Sequence, residues 1–241
     1  MKVEAWCKTD KGLRRESNQD SFLINPDLGL YIVADGMGGH KGGEVASAMA
    51  VKVIEEVVKN PPMKDLKPHD LLIFAYAEAS RQIFDLATNE RPELSGMGTT
   101  MVMLLVQKNK IYVANVGDSR CYLFRSPYLW QLTEDHSQVM ELLRAGMLTE
   151  EQAENYSGKN VITRSVGYER DVTCDILERP LTLGDTFILC SDGLSGLVED
   201  KEISNLMNRN VSEVCVEKAV EEALKNGGDD NVTVMIVKVT Q

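Results

Sequence analysis

Aspartate recurs in this sequence at the ends of apolar runs. Asp35 closes the run at residues 31–34 and is followed by Gly36. Asp192 comes just after the run at 187–190 and precedes Gly193. Asp118 follows residues 113–116 across Gly117, and Asp230 sits just ahead of the run at 232–239. Asp20 precedes the pair Phe22 and Leu23. Strands hold side chains in place, so a strand end is a good mount for a site. A glycine beside the acid lets backbone or ligand come close. A single Asp-Gly is most simply a turn, but five acids beside five apolar runs ask for more. Two carboxylates about 5 Å apart repel by roughly 3 kcal/mol at an effective dielectric of about 20. Three or four together demand protons or cations. Carboxylate and carbonyl oxygens suit magnesium, manganese or calcium rather than zinc or copper.

The elements that must carry these acids are short and apolar. Residues 29–34, 99–106, 111–116, 121–124, 186–190 and 232–239 read as buried strands. The polar stretch from Gln107 to Lys110 reads as a hairpin turn, and Gly117 with Asp118 as another. Amphipathic helices are expected over 44–60, stopped by Pro61 and Pro62, and over 70–89. Two more are expected over 199–209 and over 212–226, the last ending at Gly227. Paired helices followed by consecutive strands argue against a doubly wound parallel sheet. They point to antiparallel sheets packed together with helices outside. Residues 137–160 are polar, with a helix ending near Gly146 and a capping-box spacing at Thr149 and Gln152. This stretch reads as an insertion beside the core. The glycine-rich stretch after Met37 lacks the Walker spacing and reads as a turn.

Composition bounds the function. The chain has 241 residues, 43% apolar and 26% charged, as expected of a globular protein with one domain spanning 1–241. A net charge of −11 disfavours nucleic acid and anionic lipid surfaces as partners. The five cysteines are odd in number and form no C-x-x-C pair, so a disulfide framework or zinc site is not expected and a reducing compartment is. No apolar run has the length of a signal peptide or a membrane span, so a cytoplasmic protein is expected. None of the cysteines opens a Cys-x5-Arg loop, and no His-Glu-x-x-His is present.

Eight blocks in fixed order then carry a resemblance. They are Arg15 with Asn18-Gln19-Asp20, the stretch Asp35 to His40, Gly98 to Thr100, Asn115 to Arg120, Leu132 to Ser137, Thr163 to Gly167, Ser191 to Leu194, and Asp230 to Thr233. Together they resemble the type 2C family of metal-dependent protein serine/threonine phosphatases, and most closely its compact bacterial members. The resemblance runs over nearly the whole chain. It implies an α+β fold, a four-layer α/β/β/α sandwich of two antiparallel sheets flanked by helices, with a small helical flap at about 137–165. It implies two to three Mn2+ or Mg2+ ions. Asp35 would bridge two of them, the Gly36 carbonyl would bind the first, and Asp192 with Asp230 the second. Asp118, with Asp192, matches a third position. Asp20 would hold water on a metal, and Arg15 would grip the substrate phosphate. The implied reaction is in-line attack on phosphorus by a water of lowered pKa.

The leaving alkoxide needs a proton, and His40 is a candidate donor, a hydrogen-bonded loop histidine being the other reading. Relatives from eukaryotes often carry histidine directly after the Asp-Gly, where this chain has Met37. His136, Arg120 and Arg164 are expected to brace loops, and His69 to sit at a helix start. The implied substrates are phosphorylated proteins made by a serine/threonine kinase, and the implied state is a monomer. The alternatives are a phosphatase of small phosphate esters and a catalytically silent signalling module on the same fold.

Overall fold

The central strands are buried on both faces, and their alternating side chains build three cores. The computed structural model describes residues 2–158 and 161–240, apart from the side chains of residues 39–41 and 154. One sheet has the order β1 (Val3–Asp10), β11 (Val232–Val239), β10 (Thr186–Cys190), β7 (Arg120–Arg125) and β8 (Tyr128–Gln131). The other runs β2 (Asp20–Asn25), β3 (Leu30–Met37), β5 (Met101–Gln107), β6 (Lys110–Val116) and β9 (Asp175–Pro180), with β4 (Gly98–Thr99) beside the end of β3. Neighbouring strands are antiparallel throughout.

Successive strand residues point to opposite faces. Leu30, Ile32 and Ala34 of β3 therefore pack outward against α1 (Gly39–Lys59) and α2 (Pro68–Asp85). Tyr31 and Val33 pack inward against Leu189, Met235 and Val237 of the opposite sheet. On the far side, Ile188, Cys190, Val234 and Ile236 pack against α6 (Asp200–Arg209) and α7 (Ser212–Lys225). The result is the expected α/β/β/α sandwich. Burying each such side chain contributes roughly 1.5–3 kcal/mol, and both sheets need both their faces covered.

The six expected strands and four expected helices are all present, with two adjustments. The glycine-rich stretch is not a free turn, because α1 already begins at Gly39. Gly36 and Gly43 explain the early start: a Cβ on Gly36 would lie 2.1 Å from the Gly43 carbonyl oxygen, so only glycine lets the helix begin against the strand end. The helix expected over 70–89 is α2, which ends at Asp85 and passes into a wide turn at Leu86–Glu90. Strands β1, β2, β8 and β9 were not expected. All four are sheet edges. The stretch expected to form a flap holds α3 (Gln138–Arg144) and α4 (Glu150–Glu154), the latter with the expected capping box between Thr149 and Gln152. A short turn of helix, α5 (Asp192–Ser195), follows β10.

Tyr76 on α2 ties its layer to the sheet. It is fully buried, and its hydroxyl lies 3.0 Å from the carbonyl oxygens of both Met101 and Ala114. Tyr76→Phe removes this buried hydroxyl and its hydrogen bonding to the sheet. We expect it to cost about 1–3 kcal/mol, read as a lower urea midpoint at unchanged slope. An unchanged midpoint would show that the hydroxyl does not stabilise the layer.

Candidate metal and phosphate site

Strand register brings the acids together. Asp20 of β2 pairs directly with Asp35 of β3, a juxtaposition of like charges that a sheet ordinarily avoids. In the other sheet the last pair between β10 and β7 is Cys190 with Arg120. Two residues after Cys190 stands Asp192, and two residues before Arg120 stands Asp118. On its other side Cys190 pairs with Val234, which sets Asp192 near the start of β11, where Asp230 lies. Here too glycine permits the approach: a Cβ on Gly193 would meet the Asn231 carbonyl oxygen at 2.0 Å. Both sheets thus deliver their acids to the same end of the sandwich. Asp35, Gly36, Asp118, Asp192, Asp230 and Arg15 line one cavity of about 520 Å3.

A polar scaffold holds these groups. The Asp35 carbonyl accepts from Thr99 Oγ1 at 2.8 Å and from the Thr100 amide at 2.9 Å. Asp20 Oδ2 accepts from Thr233 Oγ1 at 2.6 Å and Ser191 Oγ at 3.0 Å. Asn231 fastens the loop that carries Arg15. Its amide donates to the carbonyls of Lys11 and Ser17, and its Oδ1 accepts from the Gln19 amide at 2.8 Å. Arg15 then reaches back, its Nη2 donating to Asp230 Oδ2 at 2.6 Å. Outside the acids, Arg120 forks onto Asp135, and Arg164 bonds Asp175 and the Thr173 carbonyl. His136 Nδ1 accepts from the Gly117 amide, which leaves its Nε2–H to face Asp175. These three brace loops, as expected. His69 lies in the first turn of α2, also as expected. The His40 side chain lies outside the described residues. Sequence reasoning gave no role to Ser191, Thr233 or Asn231. The signal was a polar residue inside or beside an otherwise apolar strand.

The electrostatics are those of a site short of positive charge. Burial pushes the Asp35 carboxyl well above the usual range, with Asp20, Asp192, Asp230 and Asp118 adding to the effect. Burial raises Asp192 as well, with Asp230 adding to it. Burial raises Asp118 to about 7, with Asp192 and Asp135 contributing. Asp20 rises to about 6, mainly through burial, against the hydrogen bonds from Thr233 and Ser191. Asp20 Oδ1 and Asp192 Oδ1 are buried with no hydrogen-bond partner among the described residues.

Buried, unpartnered carboxylate oxygens with raised proton affinity fit hard divalent cations. No group of three or more His, Cys, Asp or Glu side chains among the described residues stands ready to hold a metal ion.

The fold and this acid centre define the class, a four-layer sandwich of the metal-dependent phosphatase kind. The family model for protein phosphatase 2C matches residues 10–232. The chain is 39% identical over 243 residues to the serine/threonine phosphatase stp of Listeria welshimeri, covering 98% of this chain and 96% of that one. Its structure superposes on the serine/threonine phosphatase PstP/Ppp of Mycobacterium tuberculosis with a TM-score of 0.91 at 33% identity, covering 100% of both chains. The catalytic domain of PstP in complex with two manganese ions gives a TM-score of 0.87 at 33% identity, with 99% of each chain covered. This chain belongs to the protein phosphatase 2C family.

The acid centre has a signature in stability. Asp35, Asp118, Asp192 and Asp20 all bind protons more tightly folded than unfolded. Their contribution to stability is therefore full below the ordinary carboxylate range of about 4. It is lost as pH rises through the folded values, about 6 for Asp20 and about 7 for Asp118. Chelator-treated protein should melt at a lower temperature at about pH 8 than at about pH 6, and Mn2+ should reverse the loss at the higher pH. Equal melting temperatures with chelator would show that the acids do not crowd one another.

Proposed function

We propose that this chain hydrolyses phosphoserine and phosphothreonine in proteins, with two to three Mn2+ or Mg2+ ions held by its aspartates. The observation that carries the reading is the convergence of four aspartates from separate strand ends on one cavity wall beside Arg15. Asp35 would bridge two ions. The Gly36 carbonyl would serve the first ion, and Asp192 with Asp230 the second. Asp118 with Asp192 would serve a third. Bound there, the ions would supply a water of lowered pKa and offset charge on the phosphoryl oxygens.

The protein's own groups do the positioning. Asp20 keeps one oxygen fixed by Thr233 and Ser191, so its second oxygen is held in place to accept from water. The Arg15 guanidinium is forked and permanently charged, which suits two phosphoryl oxygens. Its bond to Asp230 holds it at the cavity wall until a phosphate arrives. No covalent intermediate on a side chain is needed. His40, or water, would return the proton to the leaving serine or threonine oxygen.

The same reading takes residues 1–241 as a single catalytic domain with the flap at about 137–165. It acts as a cytoplasmic monomer on the products of a serine/threonine kinase. Five unpaired thiols suit a reducing compartment. Among the described residues no helix is long and apolar enough to cross a membrane.

The test is release of phosphate from a phosphothreonine peptide and from p-nitrophenyl phosphate. With Mn2+ both should turn over, and chelator or Asp192→Asn should abolish release. Arg15→Lys should lower kcat/KM on the peptide by about 10- to 100-fold, the worth of a charge-assisted bond. Turnover of p-nitrophenyl phosphate alone would favour small esters as substrates. Silence on both compounds in folded, metal-loaded protein would leave a signalling module without catalysis.

A further inference from the structure

A second cavity, of about 780 Å3, opens off the acid centre beneath the flap. It is continuous with the first, because Arg15, Asp118, Asp192 and Asp230 line both. Its outer wall is apolar: Val139, Met140 and Leu143 from α3, Ala153 from α4, and Leu197 just after α5. None of these belongs to any of the three cores, and α3 has no fully buried residue. Arg120 and Asp135 also border the cavity, but they neutralise each other through a forked pair. Along α3 and α4 the cavity therefore presents apolar surface, while Ser195 and Asp229 also line it.

Besides Asp192 Oδ1, a second polar atom among the described residues is left without a partner there. Ser137 stands at the N-cap of α3, where a hydroxyl ordinarily accepts from the first amides of a helix. It makes no such bond. The residue is 2% exposed, its Oγ has no hydrogen-bond partner, and it lines this cavity. A buried hydroxyl facing a cavity calls for a donor or acceptor from whatever enters.

We propose that this cavity is a subsite for the substrate's own chain, taking one apolar side chain close in sequence to the phosphoresidue, with Ser137 Oγ bonding the peptide backbone beside it. The proposal rests on the phosphoprotein reading above. The occupant follows from continuity. A substrate whose phosphate reaches Asp192 and Arg15 has its flanking residues within one or two extended steps of about 3.5 Å each. Those residues must leave the acid centre by some wall, and this wall offers apolar area and an unmet hydrogen bond. Leu143 and Met140 set the preference by packing, and Ser137 serves any peptide regardless of side chain.

The experiment walks a single leucine through the three positions on either side of phosphothreonine in an alanine-based peptide, using the Mn2+-loaded protein. At one position or two neighbouring ones, kcat/KM should exceed that of the all-alanine parent by about tenfold, chiefly through KM, as expected for an apolar pocket. Leu143→Ser and Met140→Ser should erase that preference, lowering the ratio of leucine-peptide to p-nitrophenyl phosphate activity by about tenfold. Ser137→Ala should lower activity on the leucine and parent peptides alike, relative to p-nitrophenyl phosphate. Equal rates for every leucine position in the wild-type protein would overturn the proposal. So would variants that lose peptide and p-nitrophenyl phosphate activity in step. Failure of the phosphatase reading itself would look different, as no release from any compound.

Discussion

The repulsion among Asp20, Asp35, Asp118, Asp192 and Asp230 is the constraint to which the rest of the structure answers. Left in water these side chains would separate. Here β2 and β3 set Asp20 opposite Asp35, while β10, β7 and β11 bring Asp192, Asp118 and Asp230 to the matching end of the other sheet. Only a stiff frame can hold them so. The frame is the inter-sheet core, where Tyr31, Val33, Leu189 and Met235 lock the two sheets face to face. Within it Asp20, Asp35, Asp118 and Asp192 gain proton affinity, chiefly through burial, and the same free energy that raises their pKa is available to a divalent cation bound there.

The polar residues around the acids serve that frame. Asn231 is buried and donates to two carbonyls of the loop before β2 while accepting from the Gln19 amide. It thereby couples the position of Arg15 to the start of β11, the same segment that carries Asp230. Thr233 and Ser191 fix one oxygen of Asp20 and leave the other buried without a partner. A carboxylate held at one oxygen cannot turn away from its neighbours. That restraint stores repulsion in the metal-free protein and supplies preorganisation when charge is neutralised.

The legibility of the sequence follows from burial. The central strands β3, β5, β6, β7, β10 and β11 are covered on both faces, so they read as continuous apolar runs. The four strands that escaped notice are edges. β9 carries Glu178 and Arg179, and β8 is only four residues long, too short for a run to stand out. β1 and β2 are half-buried along their length and interleave charge with apolar residues. Asp35, Asp118, Asp192 and Asp230 were legible because each adjoins a run that burial made conspicuous. Asn231, Thr233 and Ser191 were not, since their role depends on contacts across as many as 220 positions of sequence, as between Asn231 and the Lys11 carbonyl. No local pattern encodes such a contact.

The flap obeys a different rule from the frame. Its helices are short, α3 buries no residue fully, and its apolar side chains join none of the three cores. Few buried apolar contacts mean a segment of low local stability. Chemistry needs carboxylates held within fractions of an ångström, and substrate recognition does not. The molecule separates the two demands. Groups that must not move stand on strand ends between covered sheets. Groups that meet a variable peptide stand on a lightly packed insertion that touches the acid centre along one edge. Changes in Val139, Met140 or Leu143 can therefore alter which peptides fit without disturbing the register that sets Asp35 opposite Asp20.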